Sequence, residues 1–484
     1  MNYTHKGKID IIYIDPPYNT GNKDFIFNDR YVDSEDTYRH SKWLSFMKKR
    51  LELAKNLLKD TGVIFISIDD NELAQLKLIM DGHSDLFGEN NFVAIFPRKS
   101  GIAPRIDAKH ISVEHDYVVC YARKIDPLKL NRISMAEDES YKFEDEFVKS
   151  RGRYKLNKLD RGSIHYSESL VYSIEAPDHT LIWPGGKKGR SNWTWRWNKD
   201  KIKWGIKNKY IVFKKTKNGQ SVYFKQYQFV DNKNNRIART IPFKSIILDF
   251  TNEQGNKELE NIFHKRVFDY PKPVSLIKFL IKLVDNKNAL VLDFMAGTGT
   301  TGHAILDLNK EDGGNRKFIL CTNNEGNICT GVCLPRIEKV IKGYKNLKGK
   351  RVEGLGGNLS YFRTKLLDID HISHVSDEQK IKLTYQAGEM IALKEGTFEE
   401  IEKDEWWQIF KDGTKYTAIY FKEDKSKLNE LIKKLSKLKE KVTLYIFSWG
   451  KNEYKNEFTE YKNIKVEDIP EPIIDVYKEV NLMS

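Results

Sequence analysis

Two short motifs, each closing an apolar run, constrain this chain more than any other feature. Residues 9–14, Ile-Asp-Ile-Ile-Tyr-Ile, lead directly into Asp15-Pro16-Pro17-Tyr18. Far downstream a second strand-like run, Ala289–Asp293, opens into a glycine loop, Phe294-Met295-Ala296-Gly297-Thr298-Gly299-Thr300. A nearly continuous apolar run is the pattern of a strand buried on both faces. The polar tip after each run is therefore where chemistry can reach solvent.

Asp-Pro-Pro-Tyr suits a group that grips an exocyclic amine. The Asp15 carboxylate and the Pro16 carbonyl are two acceptors, and two successive prolines fix φ and offer no competing N–H. The Tyr18 ring is a flat surface on which a planar base can stack.

Gly297, Gly299 and Gly302 spell G-x-G-x-x-G between a strand and a helix, a weak signal by itself for a dinucleotide site. Asp293 stands where a dinucleotide's phosphates would meet a like charge. The acid expected on the ribose is replaced by Cys321-Thr-Asn-Asn324. No Gly-Lys-Ser/Thr follows, which excludes a P-loop. An acid ahead of a glycine loop suits a cofactor with a cationic amine and no phosphates, a description that S-adenosylmethionine fits. Lys272 is the residue expected on that cofactor's carboxylate. With the Asp-Pro-Pro-Tyr motif, this chemistry is methyl transfer to a nucleobase amine.

Charge is unevenly spread. The chain carries +14, yet residues 151–248 alone hold 22 Lys/Arg against six Asp/Glu, a surplus larger than that of the whole chain. Five of the nine tryptophans, Trp183, Trp193, Trp195, Trp197 and Trp204, fall in the same stretch. Cations interleaved with aromatics describe a nucleic-acid surface; a tryptophan-rich core beneath a solvated basic face accounts for the rings equally well. Trp195, Arg196, Lys199 and Arg239 are the expected DNA contacts. Four cysteines are too few for a disulfide framework. Cys321, Cys329 and Cys333 lack a fourth ligand beside them and read as buried thiols, so no metal is expected. No run of 18 apolar residues occurs, and a cytoplasmic chain is expected.

Periodicity orders the rest. An amphipathic helix carries Trp43, Leu44, Met47, Leu51, Ala54, Leu57 and Leu58 and ends at Thr61-Gly62. Strands follow at 63–68, 92–96 and 116–121, with a helix near 72–82. Alternation of this kind predicts a parallel α/β sheet. It lapses from about 125 to 250, where short β-like runs (210–213, 221–224, 246–250) suggest an inserted domain. It resumes with a helix from Val274, the strand 289–293, a helix after Thr301 and a strand at 317–321. A separate small α/β unit is expected beyond 350, built on strands 416–421 and 442–449.

The motifs resemble those of the permuted, β-class amino-methyltransferases of DNA, and most closely the modification subunits of type III restriction–modification systems. The resembling stretches are Ile14–Gly21, Arg39–Leu44, Gly62–Glu72, Val267–Pro273, Asp293–Gly302, Gly356–Thr364 and Ile469–Pro472. The resemblance implies a Rossmann-like doubly wound sheet and S-adenosyl-L-methionine as cofactor. It implies adenine N6 as target, with cytosine N4 as the alternative; no Pro-Cys nucleophile for cytosine C5 is present. By the same resemblance Asp15, Pro16, Pro17 and Tyr18 hold the flipped base, while Lys272, Asp293, Phe294, Ala296, Gly297, Gly299 and Thr300 border the cofactor. The implied domains are a catalytic half (1–125), a target-recognition insert (126–250), a cofactor-binding half (251–350) and a C-terminal assembly domain (351–484). Double-stranded DNA, a second copy of the chain and a nuclease/translocase restriction subunit are the implied partners. Similar proteins have seven strands where six are readable here, and Lys6-Gly7-Lys8 reads as a helix end. A shortened N-terminus, and a catalytically impaired DNA-binding subunit, are therefore further expectations.

Overall fold

The computed structural model describes residues 1–484 except 22–25, 28–29, 34, 83–85, 103–107, 109, 136–137, 163–165, 190–191, 217–218, 365–374, 451–453, 455–457 and 483–484. Contacts divide the chain into two compact units, Met1–Leu130 with Lys244–Ser484, and Asn131–Phe243.

The first unit is built on β1 (Ile9–Ile14), every residue of which is buried. Then come α1 (Arg39–Leu57), β2 (Leu58–Ile68), α2 (Leu73–Gly82), β3 (Phe92–Lys99) and β4 (His115–Ala122). After the second unit the chain returns through α3 (Asn252–Phe263), α4 (Val274–Lys282), β5 (Leu290–Asp293), α5 (Thr300–Asp312), β6 (Lys317–Leu320) and α6 (Leu334–Lys342). The strands lie in the order β6-β5-β1-β2-β4-β3. Six strands are thus present at the six expected places, and β6 lies at an edge.

Pairing is parallel from β6 through β2, but β4 runs antiparallel to both β2 and β3. The sheet is mixed, not wholly parallel as the alternation predicted. Buried strands read alike in either direction, because a two-sided apolar run carries no mark of polarity. Both faces are covered. Ile12, Ile14, Ile64 and Ile66 pack with Trp43, Met47 and Leu51 of α1. On β3, the Phe96 ring meets Phe279 of α4 edge-on at 6.5 Å.

Helix α1 ends at Leu57, and Leu58 already belongs to β2, so Thr61-Gly62 lies inside the strand and terminates nothing. Gly62 is there for space. A Cβ would sit 2.9 Å from the Lys59 carbonyl and 3.0 Å from that of Ile9, where the β1–β2 register shifts. Residues 246–250 form no strand; Ile247 makes a single parallel bridge to Arg98.

Further along, a five-stranded sheet runs in the order β7 (Glu399–Lys403), β8 (Trp407–Asp412), β9 (Lys415–Tyr420), β10 (Lys441–Phe447) and β11 (Ile464–Ile469). The β9–β10 and β10–β11 pairs are parallel. Helix α7 (Leu428–Ser436) connects β9 to β10 and buries Leu428, Leu431, Ile432 and Leu435.

In the second unit, strands Tyr154–Lys158, Ile211–Thr216 and Gly219–Tyr227 make an antiparallel sheet. Its core contains Trp195, Trp197, Tyr172, Tyr210 and Tyr227. The Arg151 guanidinium lies 3.8 Å from the Phe147 ring centroid and 4.7 Å from that of Tyr210. Trp195 and Trp197 are buried in this core and Trp204 packs against it, in line with the core reading of the rings; only Trp195 had been expected as a DNA contact.

Arg98 is the largest buried commitment of charge in the first sheet. It is fully buried and donates to both Asp116 oxygens, to the Phe250 carbonyl at 2.8 Å and to Asn252 Oδ1 at 2.9 Å. Arg98→Ala leaves Asp116 buried and unpaired, so denaturant unfolding should show a loss of about 3–5 kcal/mol. Arg98→Ala with Asp116→Ala should lose less than the sum of the single changes.

Candidate functional site

Strand β1 is flanked by β5 on one side and β2 on the other, in parallel register Ile12↔Leu292 and Ile12↔Ile64. From β1 the chain winds outward to β2, whereas from β5 it winds the other way to β6. The direction reverses between β1 and β5, and open α/β sheets bind ligands beyond the strand ends at such a reversal. The two motifs leave these two adjacent strand ends, so the order of strands in the sheet brings Asp15 and Asp293 to one crevice.

The Asp-Pro-Pro-Tyr loop is fixed from below. Pro16 is buried, and the Pro17 carbonyl accepts the Trp43 indole N–H at 2.7 Å. Asn19 follows at φ 57, a left-handed conformation that asparagine tolerates. Its amide donates to the Arg39 carbonyl at 3.2 Å and to Glu72, which also pairs with His40 Nδ1 at 2.8 Å. Glu72 is fully buried, and that burial raises its pKa against the lowering pull of Asn19 and His40. The Tyr18 ring packs against the β1–α1 core, and its buried hydroxyl has no hydrogen-bond partner among the described residues. Burial, with the charge of Asp15 adding, holds the Tyr18 pKa well above its ordinary value.

Asp15 does not stand alone. Lys272 Nζ lies 2.8 and 2.9 Å from its two carboxylate oxygens and 4.8 Å from the centroid of the Tyr18 ring. Lys272, expected near a cofactor carboxylate, is paired here with Asp15 of the Asp-Pro-Pro-Tyr loop.

Asp293 is buried at the tip of β5, where one oxygen accepts the Met295 N–H at 3.0 Å and the other the Thr301 hydroxyl at 2.5 Å. Burial is the largest influence on its carboxyl and pushes the pKa to about 7; the two hydrogen bonds pull down and Asp15 pushes up. The glycines divide their tasks. Gly297 has φ 47, and a Cβ there would point into open space, touching only the Met295 carbonyl at 4.0 Å. Gly299 and Gly302 are close approaches of helices: a Cβ would meet Cys333 Sγ at 2.9 Å or Ile337 Cδ1 at 2.9 Å respectively. Ala296 is buried, and Phe294 packs on the β1–α1 core.

Thr300 does not offer its hydroxyl to the crevice. It receives Arg336 Nη1 at 2.8 Å beneath the loop, as Thr298 Oγ1 does at 3.0 Å. Arg336 is fully buried, and that burial lowers its pKa to about 10. Sequence reasoning missed Arg336, Glu72, His40 and Asn19. His40 and Glu72 lie inside stretches already singled out, but only the fold shows what they hold.

In the second unit Trp195 is buried, donating its indole N–H to the Tyr172 carbonyl at 2.7 Å, so it cannot reach a base. Arg239 donates to the Tyr227 and Val230 carbonyls at 2.6 and 2.8 Å and is chiefly a strut. Arg196 and Lys199 are exposed. Of the cysteines read as buried thiols, Cys333 is buried whereas Cys321 and Cys329 are half-exposed. Among the described residues no cluster of three His, Cys, Asp or Glu side chains could hold a metal, and no helix is long and apolar enough to cross a membrane.

Residues 9–330 match the DNA methylase family. The chain belongs to that family. It is 35% identical over 348 residues to the type III restriction-modification enzyme StyLTI Mod subunit of Salmonella typhimurium strain LT2, covering 65% of this chain and 49% of that protein. It is 32% identical over 360 residues to the EcoPI Mod subunit of Escherichia phage P1, covering 66% and 54%. Type II methyltransferase M.KpnI of Klebsiella pneumoniae is 34% identical over 346 residues, covering 67% and 77%. The chain thus spans about half the length of the two Mod subunits.

The state of Asp293 is open to measurement. Its folded pKa of about 7 exceeds the ordinary 3.8, so the folded chain binds this proton more tightly than the unfolded one. The resulting stability is fully present below pH 3.8 and is lost as pH rises through about 7. Asp293→Asn keeps the shape without the charge. Thermal melts should show the variant gaining on wild type between pH 5 and 8, with little difference at pH 4; a constant offset across that range would contradict the assignment.

Proposed function

We propose that this chain is the S-adenosylmethionine-dependent modification subunit of a type III restriction–modification system, methylating adenine N6 in double-stranded DNA. The observation that carries this is the meeting of the Asp15–Tyr18 loop and the Asp293 glycine loop at one reversal of the sheet. Family membership and the names of the relatives support it. So does the fit of the crevice: Asp293 is a buried acid in need of a cation, and Gly297 leaves open space beside it. Asp293 would hold the cofactor's ammonium, and the Gly297 backbone would border its body. When bound, the cofactor supplies an electrophilic methyl group on a sulfonium.

Adenine N6 is a poor nucleophile because its lone pair is delocalised into the ring. Asp15 and the Pro16 carbonyl, each accepting one N6 hydrogen, return electron density to the nitrogen and aim it. Tyr18 stacks on the extruded base and offsets part of the cost of flipping, which is a few kcal/mol. Alignment of nitrogen with methyl carbon does much of the rest. Cytosine N4 presents the same two hydrogens, so nucleoside analysis of the product decides between them.

The basic stretch within 126–250 is proposed to read the DNA, with Arg196 and Lys199 among its exposed cations. The proposed partners are a second copy of the chain and a restriction subunit, with residues 351–484 contributing to assembly. The primary test is incorporation of labelled methyl groups into DNA, and its absence would leave a DNA-binding subunit as the reading.

Asp15→Ala should abolish methylation at a cost of roughly 3 kcal/mol or more in barrier. DNA affinity comes mainly from phosphates, so binding by the variant should stay within about tenfold. Near wild-type turnover would remove Asp15 from the mechanism. If six of the insert's cations meet phosphates, log affinity should fall against log salt with a slope of about −5. A slope near zero in a titration from 50 to 200 mM salt, about the range over which such contacts are lost, would place DNA recognition elsewhere.

A further inference from the structure

The Lys272 ammonium sits where a target amine is expected. It donates to both oxygens of Asp15, at 2.8 and 2.9 Å, and lies 4.8 Å from the centroid of the Tyr18 ring. Those are the two groups that would grip the amine and the plane of a flipped base. The backbone that carries Lys272 is held tightly. Pro271, Lys272, Pro273 and Val274 are all buried. Gly255 of α3 lies so close that a Cβ there would come within 2.3 Å of the Pro271 carbonyl. Glu258 accepts the Val274 N–H at 3.0 Å. The four-carbon stem of Lys272 carries the rotatable bonds, through which a lysine can redirect its charge while its backbone stays fixed.

We propose that Lys272 is an internal surrogate for the target amine, a latch that closes Asp15 and Tyr18 to a base until the methyl donor is bound. The proposal rests on the methyl-transfer reading above and adds an order of events to it. An ammonium has three donors and no acceptor. While it remains on Asp15 it competes for the carboxylate that must take an N6 hydrogen. It also places a positive charge beside a nitrogen that must accept a methyl group from a sulfonium, which opposes the reaction. The donor's amino-acid carboxylate offers Lys272 an alternative anion. Moving to it frees Asp15 and Tyr18 together, so base capture follows cofactor binding. Coupling of this kind is reciprocal: target DNA tightens cofactor binding by the factor by which cofactor tightens DNA capture.

Three measurements on the whole chain test this. In crystals grown with S-adenosylhomocysteine, which keeps the carboxylate, Lys272 Nζ should leave Asp15. With 5′-methylthioadenosine, which lacks it, the contact should remain. By calorimetry, Lys272→Met should weaken S-adenosylhomocysteine by at least about fivefold and leave 5′-methylthioadenosine unchanged, which also serves as the control for folding. On a duplex carrying the mapped methylation site with 2-aminopurine as the target base, the fluorescence rise should require S-adenosylhomocysteine in wild type and not in Lys272→Met. A complex in which Lys272 stays on Asp15, or a variant whose base capture still needs the cofactor, overturns the latch and leaves the proposed function standing. Failure of S-adenosylhomocysteine to bind wild type at all overturns both.

Discussion

Strand β1 is hydrogen-bonded in parallel on both sides, and the site depends on that placement. Its one charged residue secures it. Asp10 is buried and accepts Lys59 Nζ at 2.8 and 2.9 Å, Asn286 Nδ2 at 3.1 Å and the Leu290 N–H at 2.9 Å. A buried carboxylate is tolerated only when it is satisfied in this way. Its partners come from β2, from the first residue of β5 and from the turn that precedes it, so both strands that flank β1 are tied to it. One side chain at the foot of the strand thus sets both neighbours. At the other end, the Asp15 and Asp293 loops emerge together.

Much of this was legible in the sequence. All six strands of the sheet and the helices at Val274 and Thr300 stand close to where apolar runs and turn residues place them, because buried strands and amphipathic faces are written in local periodicity. The direction of β4 was not legible, since a run buried on both faces looks the same reversed. Nor was the helix-to-strand boundary at Leu57–Leu58: Thr61-Gly62 is a breaker by composition, but Gly62 serves a close approach to Ile9. In the basic stretch two of the four expected contacts were misplaced for a different reason. Charge and tryptophan share one segment, yet Trp195 faces inward and Arg239 spends donors on carbonyls. Composition counts residues without saying which way they point.

The site is supported by charges that no motif announces. Glu72 holds Asn19 under one loop, Arg336 holds Thr298 and Thr300 under the other, and both are fully buried. Burial makes the bonds these groups do form costly to lose, although Glu72 Oε2 and Arg336 Nε find no partner among the described residues. Each loop is therefore pinned from beneath, and the groups at the crevice can be positioned without being packed in. Asp15 is the least buried of the acids at the two strand ends, and its partner is a lysine on a flexible stem rather than an arginine in a fixed fork. The buried pairs hold the loops; the Asp15–Lys272 pair stands at the crevice between them.

The same division explains how the chain accommodates a unit inserted into the middle of the sheet's sequence. It leaves after Leu130 and returns at Lys244, and the return is clamped to the edge strand β3. Ile247 exchanges hydrogen bonds with Pro97 and Lys99 at 2.9 Å, and Arg98 binds Phe250 and Asn252 at the start of α3. Helix α3 then carries Gly255 and Glu258 against Pro271 and Val274, the residues that flank Lys272. Position is therefore passed from β3 to the Lys272 segment entirely within the first unit. Residues 131–243 can vary in length and surface without moving Asp15, Lys272 or Asp293. Arg98, buried between β3 and the start of α3, secures that separation.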